Sequence, residues 1–502
     1  MKLLKEVKEV GAIEIMPVEL VEFSSAGRLL LIGSTEQINT LTPELTGLQV
    51  FAVSQPPVSI EGYLGKFTVE LAGETITVDL VLDLLEQTTL TTKVLPLGYF
   101  APSGDEALAS IVADLPDLVG DFDKPRYFDY KASRCAHSNR QVKGCSQCVD
   151  ACPAEAITSK NFSISINPSL CQGCGSCAAV CPSGAMTYVL PSLDVSINRL
   201  RMMMKTYFEL ETKPPQLIIH DLEHGQMMID ELSSQLPEHC ISFSIEEIGA
   251  LSMPFWLSAL AYGVSSITVL DAGSHADHDW LELQQEITKT NQLLTGLSYA
   301  DNTVNWCATD QGEQVITHLS SAATMQPIQP AEFGGVDDKR RMITIALGHL
   351  HKHAPEPIEV LALSNDAAFG EIKIDTQSCT LCMSCVSVCP VGAVLDGGDK
   401  PQLNFIEDLC VQCGMCETAC PENSISLVSQ YVFDREQTRK VKRLHEEPIF
   451  HCISCNKGFA TQKMIDTMIT KLSDHPMFQG DALDRLKMCE DCRVKAIFKD
   501  TP

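Results

Sequence analysis

The sequence predicts an α+β protein of several domains, and three features of the chain carry this prediction. With 502 residues, the chain is too long for one ordinary hydrophobic core. Twenty of its 22 cysteines fall into three blocks, which is how metal ligands are distributed along a chain. Between the blocks, strand-like and helix-like stretches alternate, which is typical of βαβ units.

The charge balance restricts the partners of this protein. Thirty-seven Lys and Arg residues stand against 65 Asp and Glu residues, which gives a net charge of −28. Such a chain repels phosphate backbones and anionic membrane surfaces, so we expect neither nucleic acid nor a membrane span. The residues MKLLKEVKEVGAIEIMPVE carry charges throughout and lack an apolar signal core. We therefore expect a cytoplasmic protein with reduced thiols and protein partners.

The spacing of the cysteines predicts iron–sulfur clusters. Three motifs follow the rule Cys-x2-Cys-x2-Cys-x3-Cys-Pro without exception, which is the run of bacterial two-cluster ferredoxins. Their cysteines are Cys171, Cys174, Cys177 and Cys181, then Cys379, Cys382, Cys385 and Cys389, then Cys410, Cys413, Cys416 and Cys420. Two residues between thiolates let one loop wrap three corners of a cluster, while the fourth cysteine serves the other cluster of a pair. Zinc sites are the alternative, but zinc does not require the fourth cysteine and its proline to repeat.

Pairing by proximity in the sequence predicts two modules, each resembling a whole two-cluster ferredoxin. In the C-terminal module, the crossing rule assigns Cys379, Cys382, Cys385 and Cys420 to one [4Fe–4S] cluster. It assigns Cys410, Cys413, Cys416 and Cys389 to the other. In the N-terminal module, it assigns Cys171, Cys174, Cys177 and Cys152 to one cluster.

The stretch CAHSNRQVKGCSQCVDACP leaves one ligand position open. By the same rule, Cys145, Cys148 and Cys181 serve the remaining cluster and need a fourth ligand. Cys135, which nine residues separate from Cys145, is the only other cysteine nearby. We predict that Cys135 fills this position and that the residues between form a surface loop carrying His137, Arg140 and Lys143. The alternative is a loosely held thiol, which would leave a three-iron or labile cluster.

The last four cysteines follow a different rule. They form two Cys-x2-Cys pairs, Cys452 with Cys455 and Cys489 with Cys492, separated by 33 residues, which is the pattern of a tetrahedral zinc site. A fifth iron–sulfur cluster is the alternative, but neither pair has a third cysteine or a following proline. We expect one zinc ion in a zinc-ribbon-like segment, with the apolar stripe of TQKMIDTMITKL forming a locally packed helix.

The whole chain is predicted to divide into five parts. These are a small α/β domain (1–125), a first 2[4Fe–4S] ferredoxin module (126–190), an α/β domain (191–335), a linker with the second module (336–430), and a helix with the four-cysteine segment (431–502). The uncharged run 248–270 is long enough to cross a bilayer, but Pro254, its glycines and the lack of flanking Lys or Arg favour a helix, a turn and a buried strand. Cys240 and Cys307 are expected to be buried apolar filler.

Two resemblances add to this interpretation. The stretch SIEEIGALSMPFWLSALAYGVSSITVLDAGSHADHDW resembles the delta subunit of methyl-viologen-reducing hydrogenase, a small α/β electron-transfer domain. That family has a cysteine where this chain has Gly273, Ser274 and His275, so we expect the scaffold without a cluster. The segments RYFDYKASRCAHS, AFGEIKIDTQSCTLCMSCVSVCP and FATQKMIDTMITKL, the last together with CEDCR, resemble a bacterial group of four-cluster iron–sulfur proteins often found beside formate dehydrogenase genes. This resemblance implies electron transfer linked to formate oxidation, or a role in the assembly of that enzyme.

The sequence shows no substrate chemistry. It has no Gly-x-Gly-x-x-Gly after a strand and no phosphate loop, and iron–sulfur clusters need a substrate-converting cofactor elsewhere. We therefore predict an electron-transfer protein or subunit without catalytic activity of its own, which relays electrons between redox partners that include formate dehydrogenase. An assembly or scaffold factor for formate dehydrogenase is the alternative, and the catalytic subunit of a flavin-dependent reductase is a third interpretation.

Charged residues outside the cysteine blocks offer weaker signals. The basic run DREQTRKVKRLH would present a positive stripe on a helix, either as a partner site or as a solvated face. Five histidines are expected to be solvated or locally bonded rather than metal ligands: His275, His278, His349, His351 and His353.

Overall fold

The structure is a computed structural model that describes residues 18–137, 142, 144–237, 239–273, 280–398 and 400–499. These residues form two compact units. The first contains residues 18–130, 146–160 and 164–355, and the second contains residues 131–145, 161–163 and 356–499 within those limits. The five-part division drawn from the sequence remains a prediction. Arg140, Lys143, His275 and His278 lie outside the described residues.

The first unit begins with a mixed α/β region. Its elements are β1 Leu20–Ser25, β2 Arg28–Ile32, α1 Thr35–Leu41, β3 Gln49–Val53, β4 Ser59–Glu61, β5 Phe67–Leu71, β6 Glu74–Val78, β7 Leu80–Asp83, β8 Tyr99–Phe100, α2 Asp105–Asp114, the 3-10 turn Leu115–Leu118 and β9 Gly120–Pro125. A parallel sheet has the order β3-β2-β7-β8, an antiparallel sheet has the order β4-β5-β6, and β1 pairs with β9. The run RLLLI forms β2 because both of its faces are buried, with Leu29 and Leu31 in one core and Leu30 and Ile32 in another.

Asp79, the residue between β6 and β7, has a buried carboxylate that binds the start of β2. Asp79 is 1% exposed and accepts hydrogen bonds from the backbone N–H groups of Ala26 at 3.0 Å and Arg28 at 2.9 Å. The Arg28 guanidinium donates two more, of which the shorter is 2.5 Å. Burial alone would raise the pKa of Asp79, but the bonds from Arg28 outweigh it, so the pKa lies below its ordinary value. The charged carboxylate therefore stabilises the start of β2.

The cysteine-rich part of the first unit has short helices and two small sheets. Its elements are β10 Phe128–Tyr130, α3 Gln147–Asp150, β11 Ile157–Lys160, β12 Ser163–Ile166, α4 Ser176–Val180 and β13 Met186–Tyr188. Strand β10 runs antiparallel to β13 and places Phe128 opposite Tyr188, while β11 and β12 form the second sheet. Both helices carry cysteines and each is no longer than five residues, so their positions depend on what packs around them.

A parallel sheet with helices completes the first unit, as the alternation of stretches predicts. Its elements are α5 Leu193–Leu210, β14 Gln216–Asp221, α6 His224–Glu231, β15 Cys240–Ile245, the 3-10 turn Ile248–Ala250, α7 Met253–Ala261, β16 Ser266–Asp271, α8 Leu281–Thr295, β17 Val304–Ala308, α9 Gly312–Ser321 and α10 Lys339–Lys352. All neighbouring strands are parallel in the order β15-β14-β16-β17. Every residue of β14 is buried, because helices cover both faces of the sheet.

The uncharged run 248–270 is confirmed as a turn, a helix and a strand. It forms the 3-10 turn, the wholly buried helix α7 and most of β16. Within the ranges described, no helix is long and apolar enough to cross a membrane. Cys240 and Cys307 belong to one buried core cluster with exposures of 1% and 6%, which confirms them as core residues.

The second unit consists of small antiparallel sheets and short helices. Its elements after the 3-10 turn Ala132–Arg134 are β18 Val360–Ala362, β19 Gly370–Ile374, α11 Ser384–Val388, β20 Val394–Gly397, β21 Lys400–Phe405, the 3-10 turn Glu407–Leu409, α12 Met415–Thr418, β22 Ile425–Val432, α13 Arg435–Arg439, β23 Lys442–Glu446, β24 Ile449–His451, β25 Gly458–Thr461, α14 Gln462–Leu472, the 3-10 turn Pro476–Phe478, α15 Asp481–Arg485 and α16 Glu490–Lys499. The sheets have the orders β18-β22-β19, β20-β21-β23 and β24-β25. Helix α14 confirms the helix expected from TQKMIDTMITKL.

We predict that replacing Asp79 with Ala loosens the amino-terminal domain. The change leaves two backbone N–H groups and the Arg28 guanidinium without their acceptor, so the local free energy of opening of β2 should fall by about 3 kcal/mol. Amide hydrogen exchange of the full chain measures this quantity. Because the pKa of Asp79 is lowered, the stabilisation should persist at neutral pH and be lost as the pH falls through the folded-state pKa.

The exposed Glu74 on β6 gives the matched control. Glu74→Ala should change the opening free energy of β2 by no more than about 0.5 kcal/mol. Equal protection of β2 in Asp79→Ala and Glu74→Ala would show that the Asp79 network does not hold this strand.

Candidate iron–sulfur and metal centres

Four cysteines from two successive motifs line one cavity in the first unit. Cys171, Cys174 and Cys177 come from the loop that leads into α4, and Cys152 comes from the end of the motif before it. The cavity has a volume of about 50 Å³ and is otherwise lined mostly by apolar groups, among them Ile157 and Ile166. The crossing rule places these same four cysteines together.

Two glycines shape the loop that carries three of these cysteines. Gly173 and Gly175 both have a φ of +83°, a conformation that favours glycine. A Cβ atom on Gly175 would lie 2.5 Å from the backbone of Gly249, and one on Gly249 would lie 2.2 Å from the Cys174 carbonyl oxygen. Gly249 is in the 3-10 turn that follows β15, so the carboxyl end of the parallel sheet supports the cysteine loop directly.

Burial makes bare thiolates costly in this cavity. It raises the pKa of the Cys152 and Cys171 thiols, raises the pKa of Cys174 to about 12, and raises the pKa of Cys177 well above its ordinary value. A buried thiolate therefore needs a cation beside it, and iron supplies that charge. The donor set, four thiols in a partly apolar cavity, fits an iron–sulfur cluster.

Lys124 and Tyr188 stand beside this cavity, and neither has a local sequence signal. The Lys124 amine, on β9, donates to the carbonyl oxygens of Ser169 at 2.8 Å and Cys171 at 2.7 Å. Burial lowers the pKa of Lys124 to about 8, against a smaller opposing effect of Cys171. The Tyr188 hydroxyl is buried and has no hydrogen-bond partner within the described part of the chain. Both groups suit an anionic ligand in the cavity.

The second unit repeats this arrangement with the C-terminal cysteines. Cys379, Cys382, Cys385 and Cys420 line one cavity of about 20 Å³. Among the other four, burial raises the pKa of Cys413 and Cys416, and the charge of Cys389 raises both pKa values further. The crossing rule predicts both groupings.

Backbone N–H groups point at the fourth cysteine of each motif. Ala156 donates to Cys152 Sγ at 3.3 Å, Ala393 to Cys389 Sγ at 3.2 Å and Ser424 to Cys420 Sγ at 3.3 Å, each from four residues downstream. At Cys181 the donor is Met186, five residues downstream, at 3.4 Å. These bonds stabilise sulfur-centred negative charge. In the sequence, the repeated Cys-Pro pair was the signal for these bonds, because the proline fixes the turn that brings the downstream backbone N–H back to the cysteine.

The long loop after Cys135 is closed at its base. Cys145 N donates to Ala136 O at 3.1 Å, and Gly144 N donates to His137 O at 3.3 Å. The His137 ring lies 2.7 Å from Cys145 O through Nδ1 and is only 1% exposed. The expectation of a surface position was therefore wrong for His137, because its ring fills the base of the loop. Cys135 lies beside Cys145 within the second unit, while Cys148 and Cys181 are in the first.

The last four cysteines form a tight group. The Sγ atoms of Cys452, Cys455, Cys489 and Cys492 all lie within 4.8 Å of one another, and those of Cys455 and Cys489 are 3.6 Å apart. Sulfur atoms about 2.3 Å from one tetrahedral ion would be about 3.8 Å apart. Burial opposes ionisation of Cys452, but backbone N–H groups, first that of Cys489, outweigh it and lower the pKa of this thiol. The group therefore suits a single metal ion.

The basic run does not form the single helix that a positive stripe requires. Its residues are divided between α13 and β23, and acidic neighbours neutralise them. Arg435 and Arg439 pair with Asp408, Lys440 with Glu436, Lys442 with Glu371 and Arg443 with Glu446. His349 and His353 are locally bonded, as expected: His349 Nε2 lies 2.7 Å from Gln329 O and His353 Nδ1 lies 3.0 Å from His349 O.

Comparison with known families decides the class of the two cysteine modules. Residues 143–185 and residues 378–425 each match a model of the 4Fe–4S dicluster domain. The protein carries two 4Fe–4S dicluster domains. Two such domains imply four [4Fe–4S] clusters and ferredoxin-type electron transfer. The first match begins after Cys135, so it does not include this residue.

Curated relatives match over short stretches. "Ferredoxin 7Fe" of Hydrogenibacillus schlegelii is 43% identical over 42 residues, which are 8% of this chain and 51% of the relative. "Hydrogenase-4 component A" of Escherichia coli (strain K12) is 48% identical over 64 residues, 11% of this chain and 30% of the relative. "Ferredoxin-1" of Caulobacter vibrioides is 41% identical over 54 residues, 10% of this chain and 46% of the relative. This chain spans about half or less of the length of these relatives, and none of the three names mentions formate dehydrogenase.

We predict that Gly249→Ala removes one iron–sulfur cluster. The added methyl group would overlap the Cys174 carbonyl oxygen and the Trp280 ring at 2.6 Å, so the cysteine loop must move. Anaerobically purified protein should lose about four irons per chain and keep the rest.

Gly348, on α10, provides the control because a Cβ atom there meets nothing within 4 Å. Gly348→Ala should keep the full iron content. If Gly249→Ala also keeps all its iron, the contact between this turn and the Cys174 loop is not needed to hold a cluster.

Proposed function

We propose that this protein is an electron carrier that relays single electrons between redox partner proteins through four [4Fe–4S] clusters. The observation that carries the proposal is the convergence of Cys152 with Cys171, Cys174 and Cys177 on one cavity. A [4Fe–4S] cluster supplies reversible one-electron transfer, with a potential set by nearby charge, hydrogen bonds to sulfur and exposure. The chain supplies the thiolates, the backbone N–H groups that face them and the apolar walls.

Three proposed ligand sets have support from placement in the structure. The first is Cys152, Cys171, Cys174 and Cys177, and the second is Cys379, Cys382, Cys385 and Cys420, since each set lines one cavity. The third is Cys389, Cys410, Cys413 and Cys416, supported by the charge of Cys389, which raises the pKa of both Cys413 and Cys416, and by that of Cys410, which raises the pKa of Cys416.

The fourth proposed set is Cys135, Cys145, Cys148 and Cys181. Its support is the crossing rule, which leaves one position open, together with the closed base of the loop that holds Cys135 next to Cys145. The His137 backbone N–H also donates to Cys135 Sγ at 3.4 Å, so it can stabilise negative charge on this sulfur.

We propose one zinc ion at Cys452, Cys455, Cys489 and Cys492. The short distances between their sulfur atoms favour a single ion over a cluster, whose ligands stand around a larger group.

We also propose that formate dehydrogenase is one of the redox partners. Support comes from the segments at 126–138, 368–390 and 459–472, which resemble the proteins found beside formate dehydrogenase genes. The second candidate is an assembly or scaffold factor for that enzyme, which the same resemblance favours. We rank the electron-carrier role above the assembly role because both units contain cluster modules, and these modules supply electron transfer as well as a surface for binding.

We predict that anaerobically purified protein contains about sixteen irons and one zinc per chain and gives a reducible cubane signal by electron paramagnetic resonance. Metal analysis and a dithionite titration test this directly. Protein that folds with zinc alone, and gives no reducible signal, would exclude the carrier.

Deletion of the gene separates the two candidate roles. For a carrier, formate dehydrogenase should remain assembled and active with an artificial acceptor in the deletion strain. An enzyme that is missing or lacks its cofactors would instead favour the assembly role.

We predict that Cys135→Ser costs one cluster and spares three. The iron content should fall by about one to four per chain, because Cys145, Cys148 and Cys181 alone would leave a three-iron cluster or a labile one that is lost. Cys240→Ser is the matched control, since Cys240 is a core residue bonded to Gln216 and is expected to leave the iron content unchanged. Retention of all four clusters in Cys135→Ser would show that Cys135 is not a ligand.

A further inference from the structure

Tyr188 lines the wall of the first cysteine cavity and has a buried hydroxyl. Its side chain is 6% exposed and lines the cavity of Cys152, Cys171, Cys174 and Cys177. The hydroxyl has no hydrogen-bond partner among the residues that the structure describes. Buried hydroxyls are rarely left in this state, because burial without a partner forfeits the bonds that water would make. The hydroxyl therefore calls for an acceptor that binds in the cavity.

The position of the Tyr188 ring is fixed by its neighbours. Strand β13 places it opposite Phe128 of β10. The ring stacks on Tyr127 with a centroid distance of 6.4 Å and an interplanar angle of 21°. Tyr127 in turn packs against Gly173, where a Cβ atom would lie 2.8 Å from the ring. Tyr127 thus ties Tyr188 to the loop that carries the cysteines.

The groups around the hydroxyl narrow the choice of acceptor. Burial raises the pKa of Tyr188 far above its ordinary range, and the charges of Glu247, Glu246 and Cys174 raise it further, so the hydroxyl stays protonated and remains a donor. Glu246 is exposed and Glu247 is half-buried, and neither is bonded to Tyr188. The sulfur atoms that the proposed function places in the cavity are acceptors for such a donor.

We propose that the Tyr188 hydroxyl donates a hydrogen bond to a sulfur atom of the centre held by Cys152, Cys171, Cys174 and Cys177, and thereby raises the reduction potential of that centre. This inference rests on the proposed electron-carrier function. A donor that faces sulfur stabilises the extra negative charge of the reduced form. Tyr188 keeps its proton throughout, so one electron moves and no bond is made or broken.

Lys124 should also raise the reduction potential of this centre. The Lys124 residue is 9% exposed, and its amine donates a hydrogen bond to the Cys171 carbonyl oxygen. In the described ranges, no carboxylate lies within ion-pair distance of this amine. A buried positive charge favours the more negative, reduced state of a neighbouring group. The two residues together make this centre easier to reduce.

The second module provides an internal comparison. Seven residues after its last motif cysteine, Cys420, it has Leu427, where the first module has Tyr188 seven residues after Cys181. Both residues lie on strands that pair antiparallel with the strand before the cysteines, Leu427 opposite Ile372. Because leucine has no donor, the centre of Cys389, Cys410, Cys413 and Cys416 should be harder to reduce than its counterpart.

The test is a potentiometric titration of the full-length holoprotein, followed by electron paramagnetic resonance. In Tyr188→Phe, the reduction equilibrium of one centre should become at least tenfold less favourable, which is 59 mV for one electron. Iron content and the other signals should stay the same. Tyr207→Phe is the matched control: its hydroxyl bonds Lys213 O at 2.9 Å, away from the cavity, and no potential should move.

A second substitution covers the case in which Tyr188→Phe loses the centre. Site-specific 3,5-difluorotyrosine at position 188 keeps the ring and hydroxyl but makes the hydroxyl a stronger donor, so the potential of the same centre should rise. Unchanged potentials in both proteins, with full iron content, would overturn the inference while leaving the electron-carrier function intact. Wild-type protein without iron or a reducible signal would instead overturn the proposed function itself.

Discussion

The structure depends on one electrostatic constraint, the cost of burying several thiolates together. In the cavity of Cys152, Cys171, Cys174 and Cys177, burial raises the pKa of every one of the four thiols, so four bare negative charges cannot coexist there. The iron proposed for this cavity would offset that charge, and backbone N–H groups such as that of Ala156 offset more of it. Metal binding would therefore be coupled to the shape of the loops that present the four thiols.

The sequence was informative where a ligand set depends on local spacing. A Cys-x2-Cys-x2-Cys run fixes which thiols one loop can present, and the repeated Cys-Pro fixes where the chain turns, so the grouping of Cys152 with the Cys171 loop was predictable. The contacts that support that loop were not predictable from the sequence. Lys124 is 47 residues before its partner Cys171, and Gly249 reaches Cys174 from the far end of a β-strand. Such contacts arise from the packing of separate elements and leave no periodic signal in the chain.

Charge patterns were the least reliable guide. The run DREQTRKVKRLH is basic along the sequence, yet the acidic residues that neutralise it include Asp408 and Glu371, which lie far away in the chain. A local excess of Lys and Arg therefore does not establish an exposed positive surface. The parallel sheet of the first unit was easier to foresee, since the buried strands β14 and β16 are short apolar runs separated by helices.

Each dicluster module is braced by segments that have no cysteines of the ferredoxin type. In the first unit, β9 supplies Lys124 and the turn after β15 supplies Gly249. In the second unit, the four-cysteine segment supports the Cys379 loop. Thr461 donates to Thr380 O at 3.3 Å and Lys463 donates to Thr376 O at 2.7 Å, so the two bonds lie on either side of Cys379. The amino-terminal domain and the four-cysteine segment thus act on the cysteine loops of their own units through hydrogen bonds to the backbone.

The four-cysteine site, as proposed, takes no part in relaying electrons. Zinc, the ion proposed there, has no redox chemistry, so it cannot relay an electron. The four cysteines would instead tie the hairpin β24–β25 to α16, and the last residue of that hairpin, Thr461, both caps α14 and bonds the Cys379 loop. An ion bound at this site would fix the hairpin, and the hairpin would fix the start of α14, from which Lys463 bonds the same loop. A redox-inactive metal can in this way determine the rigidity of a redox-active centre without exchanging charge with it.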